Sequence, residues 1–460
     1  MLTSIENFVS TYPQVSFLPN HRRVEHPLDI IIVGCGIGGL AASYTLGRSG
    51  HRVTILEKSA TIGEVGAGIQ VAPNLSRLLI RWGLADRLKE CAVTPRAVSF
   101  RRYKDGERIG WAPLGDKFEK EYGSPYYHVH RADLYNMLWD IAKPFVNLRT
   151  NSKVVAIDPR TPKVTLESGE IIYADLIVGA DGVRSVVRDV VVGRRDSPTP
   201  TGDAAYRAIL PTSAMLEDPD LQSLVQDTEM TAWLGPGRHI MAYNIRAKKE
   251  YNIVMLHPDD AESESWTTPA SIEQMREQYA GWEPTVQKLL SLIPSSFNWK
   301  LQDRSPLENW IHENGKVVLL GDACHPMLPY RAQGAAMAVE DAAVLGGLLS
   351  RLTHRKDLPS LLKTYQDLRY SRATETQLAS RTNQGEYHVD DGPEQEARDA
   401  AMKAAMHVAL KESEERSDGA GSNNPNMWAD KTRNDRQYGY DADAEVQKWW
   451  MQEMMSAPKL

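Results

Sequence analysis

The sequence lacks several features that would mark particular classes of protein. Its 460 residues include only 3 cysteines, Cys35, Cys91 and Cys324. They offer neither a disulfide framework nor the spacing of a zinc site, so we expect no bound metal and a reducing compartment such as the cytoplasm. No run approaches the ~20 apolar residues that span a bilayer, and the first 27 residues lack the pattern of a signal peptide.

The sequence also lacks a large excess of charge of one sign. The formal net charge is −7, from 53 basic and 60 acidic residues. A chain with this balance has no general attraction for nucleic acid or an acidic membrane, and we expect neither as a partner. The composition is ordinary for a globular protein, and the length suits about two to three domains.

The strongest local pattern lies near the N-terminus. An apolar strand, 28–33, is followed by a G-x-G-x-x-G motif with Gly34, Gly36 and Gly39, then by a helix, a second strand and Glu57. This order is that of a dinucleotide-binding βαβ unit. The first glycine allows the tight turn, the second lets a pyrophosphate approach, the third lets helix and strand pack closely, and the acid can bind a ribose. A chance glycine turn is the alternative, which the complete unit disfavours.

Two later segments repeat this strand-and-turn pattern. One apolar strand ends in Asp181-Gly182, and a second, 316–320, ends in Gly321 and Asp322. A carboxylate at a strand end can hold polyol hydroxyls. The second strand is followed by a long apolar helix that begins with small residues at 334–336, which let a flat group approach. The unpaired N–H groups and positive dipole of such a helix start can face an electron-rich ring.

Two further segments are candidates for contact with the same ligand. The glycine-dense loop 63–70, which includes Gly68, is either flexible or folded over something flat. Arg131, near the start of a predicted helix at 132–142, could reach a phosphate or ring, although an ordinary surface arginine is an equal alternative. The sequence leaves both alternatives open.

The pattern changes between residues 203 and 305. Short strand-like runs occur at 204–210, 229–235, 238–247 and 251–256, and a helical segment spans about 270–293. This spacing predicts a mainly antiparallel sheet, which we interpret as a substrate domain inserted into the cofactor domain. Outside the N-terminal motif there is no second G-x-G-x-x-G, so no separate nicotinamide domain is predicted.

The three motifs in this order resemble those of the class A flavoprotein monooxygenases, in particular the salicylate-hydroxylase-like branch, over about residues 28–384. The resemblance implies an α/β fold: a Rossmann-like FAD-binding domain with an inserted antiparallel substrate domain and C-terminal helices. The predicted divisions are an N-terminal extension (1–27), the two parts of the FAD-binding domain (28–202 and 306–384), the substrate domain (203–305) and an acidic tail (385–460). The aromatic residues of the tail, with a helix at 393–411 and a break at 418–425, indicate that it packs on the body or on another subunit.

The resemblance also assigns roles to individual residues. It implies that Glu57 binds the adenosine ribose, that Arg131 and Asp322 contact the FAD, and that Gly334, Ala335 and Ala336 border the isoalloxazine ring. The Asp181-Gly182 segment is expected to serve both FAD and the nicotinamide cofactor.

A loop motif of the family falls at Pro329–Gly334 in this sequence. It makes Tyr330 and Arg331 candidates for substrate contact. His325, just before this loop, is interpreted as structural because Pro326 restricts its backbone.

The chemistry implied is hydroxylation of a small aromatic substrate. NADPH or NADH would reduce a non-covalently bound FAD, dioxygen would add to give a flavin C4a-hydroperoxide, and an electron-rich phenolate would attack its distal oxygen. A carboxylate on the attacked carbon would make the reaction decarboxylative. The alternatives are a dearomatising phenol hydroxylase, an indole or alkene epoxidase, or a non-catalytic binding protein of the same fold. The protein is expected to be a monomer or a homodimer.

Three residues of the predicted sheet are candidates for catalysis. His239 and Tyr243 are four apart, which places both on one face of a strand, and related hydroxylases have a histidine and a tyrosine at matching positions. A histidine of pKa about 6.5 can accept a phenol proton, whereas a tyrosine of about 10 can relay it or hold the oxygen. Arg207 could pair with a substrate carboxylate or phenolate, or with an internal acid. The alternative is that one of the first two is a packed core residue.

Overall fold

The computed structural model describes residues 24–63, 66–259, 267–415 and 426–456. Most of the predicted N-terminal extension and the predicted break at 418–425 therefore lie outside the described residues. Among the helices of the described ranges, none combines the length and apolarity that a bilayer span requires.

The bounds of the secondary structure elements follow. The strands are β1 (Asp29–Val33), β2 (Arg52–Leu56), β3 (Gly68–Val71), β4 (Ala97–Arg102), β5 (Arg108–Pro113), β6 (Tyr127–His130), β7 (Val146–Arg149), β8 (Val154–Asp158), β9 (Lys163–Leu166), β10 (Ile171–Tyr173), β11 (Leu176–Gly179), β12 (Thr199–Pro211), β13 (Met230–Gly235), β14 (Arg238–Ile245), β15 (Glu250–Pro258), β16 (Thr267–Pro269), β17 (Phe297–Asp303) and β18 (Val317–Leu319). The helices are α1 (Ile37–Arg48), α2 (Pro73–Leu79), α3 (Ala85–Cys91), α4 (Gly115–Tyr122), α5 (Arg131–Ala142), α6 (Val186–Val192), α7 (Thr212–Leu216), α8 (Gln222–Gln226), α9 (Ile272–Gln278), α10 (Pro284–Ser291), α11 (Gly334–Leu349), α12 (Leu358–Tyr387), α13 (Pro393–Glu415), α14 (Lys431–Tyr438) and α15 (Ala442–Ser456).

A parallel sheet forms one half of the molecule. Its strand order is β18-β11-β1-β2-β7, and α1 packs against α5 and α11 beside it. The apolar run Ile30-Ile31-Ile32 is buried, as expected of a central strand covered on both faces. In the register Val33 pairs with Gly179, and Gly179 pairs with Leu319. The three predicted motifs, separate in sequence, therefore end side by side at one edge of the sheet.

A larger sheet, with the order β16-β17-β12-β15-β14-β13-β4-β5, forms the other half. The predicted strands between residues 204 and 256 are present in it, and their pairing is antiparallel. Two strands, β4 and β5, come from the N-terminal part of the chain, outside the predicted range 203–305. β4 pairs in parallel with β13. This larger sheet is thus built from two distant stretches of sequence.

The prediction of a single helical segment at about 270–293 was wrong. The structure has two helices there, α9 and α10. Gly281 has φ +78 between them, and Pro284 begins the second helix. A left-handed residue followed by a proline interrupts the hydrogen-bond ladder, because the proline has no N–H to donate.

The described part of the tail packs on the body of the same chain. The helix predicted at 393–411 is present as α13, and it lies along β5. A Cβ at Gly110 of that strand would stand 2.8 Å from Cε of Met402, so the missing side chain makes room for the helix. Further on, Arg81 forms a two-pronged ion pair with Asp441.

A buried ion cluster joins α11, α12 and the end of β18. The Arg369 guanidinium contacts Glu340 at 2.6 Å and Asp341 at 2.7 Å, and all three side chains are fully buried. Asp341 also accepts hydrogen bonds from the Gly321 N–H at 3.0 Å and from Nε2 of His325 at 2.6 Å. Burial opposes the charge of Asp341, yet His325 and Arg369 lower its pKa to about 2. His325, interpreted as structural from the sequence, contacts this cluster.

We predict that Arg369→Ala destabilises the fold by about 3–5 kcal/mol, because two buried carboxylates lose their shared cation. Urea unfolding followed by circular dichroism measures the free energy of unfolding. The control is Lys363→Ala on the same helix, which removes a solvent-exposed pair with Asp367 and should cost less than about 1 kcal/mol. Equal losses from the two variants would contradict the prediction.

Candidate active site

A cavity of about 450 Å³ lies between the carboxyl edge of the parallel sheet and one face of the larger sheet. The residues that line it include Gly36, Gly38, Gly68, Arg131, Gly182, Asp322, Gly334 and Ala335 on one side, Arg207, His239, Met241, Tyr243 and Tyr330 on the other, and Tyr387 and Trp428 from the C-terminal part of the chain. Most of the residues predicted for cofactor and catalysis therefore meet at a single cavity.

The glycine motif has the geometry that a dinucleotide requires. Gly34 has φ +103, and a Cβ there would lie 2.4 Å from the carbonyl oxygen of Ala180. A Cβ at Gly39 would lie 2.1 Å from the oxygen of Gly34, so neither position tolerates a side chain. At Gly36 a Cβ would meet nothing within 4 Å, because this backbone opens onto the cavity.

Two helix N-termini border the cavity. The N-cap residue of α1 is Gly36 and that of α11 is Gln333, and neither helix has a side-chain hydrogen bond at its cap. Gly334 and Ala335, the first residues of α11, line the cavity. Uncapped N–H groups and the positive dipole end suit a pyrophosphate at the first helix and an electron-rich ring at the second.

Glu57 and Asp322 present carboxylates beside these helix starts. Oε2 of Glu57 accepts a hydrogen bond from the Cys35 N–H at 3.0 Å, and Oε1 accepts from Ser59 at 2.9 Å. This fixes the Glu57 carboxylate next to the glycine loop, although Glu57 is not among the residues that line the cavity. Asp322 is exposed to the cavity. An ideal Cβ at Gly334 would stand 3.9 Å from Oδ1 of Asp322, so this carboxylate lies beside the start of α11.

Three of the predicted contact residues direct their side chains elsewhere. The Asp181 carboxylate accepts hydrogen bonds from Ser185 Oγ and from the Val186 N–H, so it serves the start of α6, and burial raises its pKa. Ala336 is buried in the core behind the cavity wall. Arg331 lies among residues of the C-terminal segment, and burial lowers its pKa. Their neighbours Gly182, Ala335 and Tyr330 line the cavity in their place.

His239 and Tyr243 lie on the same face of β14, as their spacing predicts. Met241 between them shares this face, whereas Ile240 and Ala242 pack in the core on the opposite side of the sheet. The exposed fractions of His239 and Tyr243 are only 3% and 4%. Burial and the neighbouring His388 keep the pKa of His239 well below its ordinary value, so the imidazole is neutral at pH 7.

The environment of Tyr243 keeps its phenol protonated. Burial raises its pKa, and the ring packs on His128 with 4.2 Å between centroids. Burial also lowers the pKa of His128 to about 3, so this imidazole adds no charge. A Cβ at Gly68 would stand 2.6 Å from the Tyr243 ring, so the glycine loop lies directly against it.

Arg207 lies on β12 at the edge of the same cavity. Its guanidinium carbon is 5.2 Å from the centre of the Trp299 ring, a cation–π contact that orients the side chain along the cavity wall. The position suits contact with an anionic substrate group.

Sequence reasoning did not identify four further residues at this site. Tyr387 and Trp428 line the cavity, and both are buried. His388 contacts His239, and Asp203 accepts a hydrogen bond from the Tyr330 hydroxyl. The one available signal was the high aromatic content of the tail. Within the described residues, no group of histidine, cysteine and acidic side chains is arranged to hold a metal ion.

Comparison with known proteins identifies the family. The family model described as FAD binding domain matches residues 27–380. The FAD-dependent monooxygenase OpS4 of Beauveria bassiana is 37% identical over 387 residues, which cover 82% of this chain and 90% of the relative. The 3-amino-4-hydroxybenzoate 2-monooxygenase PtnB3 of Streptomyces platensis is 35% identical over 387 residues, covering 83% and 94%. A solved salicylate hydroxylase substrate complex has a TM-score of 0.71 at 26% identity and covers 92% of this chain and 97% of that one.

These matches confirm the predicted fold and family, and they set aside the non-catalytic alternative. The glycine motif, the two uncapped helix N-termini and the exposed Asp322 carboxylate fit an FAD at the cavity. The chain therefore belongs to the FAD-binding domain family and is an FAD-dependent monooxygenase of the aromatic hydroxylase type.

Proposed function

We propose that this enzyme uses NADPH or NADH and dioxygen to hydroxylate a small phenolic acid. The observation that carries the proposal is the pairing, on one strand face of the cavity, of a neutral His239 with a protonated Tyr243. The names of the similar proteins support the substrate class, since 3-amino-4-hydroxybenzoate and salicylate are both phenolic acids. One oxygen atom would enter the ring and the other would leave as water.

The first task of the protein is to hold the flavin. Gly34, Gly36 and the start of α1 would receive the pyrophosphate, Glu57 the ribose, and Asp322 the ribityl chain. The start of α11 would face the ring system. When bound, FAD would pass electrons from NADPH or NADH to dioxygen, which is the source of the oxygen atom that enters the substrate.

The second task is to make the substrate ring electron-rich. A free phenol ionises near pH 10, as tyrosine does, so the site must supply a base. Nε2 of His239 has no hydrogen-bond partner among the described residues, and its ring lines the cavity. This nitrogen would take the phenol proton. The Tyr243 hydroxyl would donate a hydrogen bond to the resulting phenolate oxygen, and Arg207 would pair with the substrate carboxylate.

The third task is to exclude water. Met241, Leu328, Tyr387 and Trp428 give the cavity an apolar wall on the side away from the flavin contacts. Two of these residues belong to the C-terminal part of the chain, beyond the family match at 27–380. Dry surroundings would strengthen the hydrogen bonds to the phenolate and limit side reactions with water.

The location and the assembly of the enzyme remain predictions. Cys35, Cys91 and Cys324 form no disulfide in the described chain, and on this basis we propose that the enzyme acts in the cytoplasm. It would act as a monomer or a homodimer.

We predict that the purified protein is yellow and consumes NADPH or NADH faster when a suitable phenolic acid is added. A panel with salicylate and 3-amino-4-hydroxybenzoate, each with its O-methyl ether as a control, tests the need for an ionisable hydroxyl. Product analysis by mass spectrometry separates simple from decarboxylative hydroxylation. Equal turnover of phenols and their ethers would refute the proposal.

We predict that Asp322→Ala weakens FAD binding by about one to two decades, because a hydrogen bond to a charged group contributes roughly 1.5–3 kcal/mol. Flavin fluorescence during titration of the apoprotein measures the affinity. Asp86→Ala, at an exposed carboxylate on α3, is the control and should leave the affinity unchanged. An unaltered affinity in the Asp322 variant would remove this residue from the flavin site.

We predict that His239→Ala lowers product formation by about 10²–10⁴-fold, the usual share of acid–base catalysis. FAD should remain bound, and hydrogen peroxide release per NAD(P)H consumed should rise. Higher pH should partly restore the product, since hydroxide can then remove the phenol proton. Because burial holds the pKa of His239 below its ordinary value, the parent should keep its activity down to pH 6. Tyr243→Phe should have the same effects more mildly.

If the His239→Ala variant matches the product yield and rate of the parent across pH 6–9, the base lies elsewhere. The Tyr330 hydroxyl is then the next candidate, although burial and the Asp203 carboxylate raise its pKa.

A further inference from the structure

His239 has a histidine partner from outside the larger sheet. Its Nδ1 lies 2.9 Å from Nε2 of His388, and the two ring centres are 5.1 Å apart. His388 caps the C-terminus of α12, eight residues beyond the family match at 27–380. One of these two nitrogens carries the hydrogen and the other accepts it, so the two imidazoles can exchange a proton directly.

A carboxylate stands behind this second histidine. Nδ1 of His388 is 3.5 Å from Oδ2 of Asp203 on β12. Asp203 is held in place from two other elements, because it accepts hydrogen bonds from Nε2 of Gln384 at 2.7 Å and from the Tyr330 hydroxyl. The order from the cavity outward is therefore imidazole, imidazole and carboxylate.

The other charged or titratable groups around the pair are few. The Tyr330 and Tyr387 rings pack against His239, and burial raises the pKa of both phenols, so neither supplies a charge. From the neighbouring strands, Leu234 and Leu256 pair with His239.

Burial lowers the pKa of His388, Asp203 opposes this shift and Arg238 adds to it. Within this set of neighbours, Asp203 is the nearby carboxylate that favours a proton on the pair.

A lone histidine in this position would be a poor base. An imidazolium on His239 would carry a charge in a buried site, which is costly unless that charge is hydrogen-bonded. The contact with His388 gives the imidazolium an acceptor for its Nδ1 hydrogen, and the negative charge of the nearby Asp203 favours a proton on His388. This is the logic by which a carboxylate supports the catalytic histidine of a hydrolase triad.

We propose that His388 and Asp203 form, together with His239, a proton relay that carries the phenol proton out of the cavity; the proposal rests on the function proposed above. The O–H bond of the substrate breaks as an N–H bond forms at Nε2 of His239. The Nδ1 proton of His239 passes to Nε2 of His388, which becomes an imidazolium beside the Asp203 carboxylate. No electrons are transferred. His388 and Asp203 are positioning residues, since they act through His239.

His388→Gln separates a relay from a purely structural contact. A glutamine oxygen can accept the His239 hydrogen, but the amide cannot pass a proton onward. We expect kcat to fall about 10–100-fold, less than the full share of acid–base catalysis because His239 itself remains, with the KM for 3-amino-4-hydroxybenzoate and the FAD content unchanged. The deficit should shrink as the pH rises from 6 to 9. His407→Gln, an exposed histidine on α13, is the matched control and should behave as the parent. Asp203→Asn should shift kcat in the same direction.

A binding measurement without turnover gives an independent readout. The probe is 4-hydroxy-3-nitrobenzoate, whose phenolate is coloured, added to the oxidised holoprotein and followed by difference absorbance against pH. The parent should bind it as phenolate at a lower pH than free solution requires, and His388→Gln should move that ionisation towards higher pH.

The two proposals fail differently in these experiments. A parent that ionises the probe, with a His388→Gln variant that matches it in ionisation and in kcat, overturns the relay alone. A parent that leaves the probe protonated, or binds none of it, overturns the proposed base and the relay together. Loss of FAD from both His388→Gln and Asp203→Asn would show a structural role and also overturn the relay.

Discussion

The hydrogen bonds of the buried Asp341 carboxylate are the interactions on which the active site depends most. This carboxylate binds the Gly321 N–H at the end of β18, His325 in the following loop, and Arg369 on α12. These hydrogen bonds hold the start of α11 against the strand end that presents Asp322. They also set the position of α12, whose far end carries Tyr387 and His388. A single charged residue therefore relates the flavin side of the cavity to its aromatic side.

The two sides of the cavity have opposite physical characters. The flavin side is backbone-rich, with glycines and helix N-termini that expose N–H groups, and its few carboxylates are either anchored or open to the cavity. The other side is a strand face filled with rings, where burial keeps His239 uncharged and the tyrosines protonated. An anionic cofactor and a neutral phenol would each meet the surroundings that favour it. The charge created during the reaction would then appear at the boundary between them.

How much of the fold and the site could be predicted from the sequence depended on whether the interactions join residues that are near or distant in the chain. The βαβ glycines and the strand ends follow local rules, and the shared face of His239 and Tyr243 follows from strand periodicity, so the sequence predicted them. The direction of the Asp181 carboxylate, the burial of Ala336 and the surroundings of Arg331 depend on which helix packs beside each one. Tyr387 and Trp428 reach the cavity, and His388 reaches His239, only through the packing of α12 and the tail. Asp203 on β12 meets Gln384 and His388 through the same packing. The joining of β4 to β13 likewise has no local signal.

The pairing of β4 with β13 has a consequence for how the chain can be divided. The fragment 199–303, cut out as a unit, would lose both β4 and β5 and leave β13 as an open edge with unpaired backbone groups. Such an edge readily recruits a strand from another molecule. The fragment 199–303 is thus not a transferable module, and exchanging it between related enzymes requires residues 97–113 to be included.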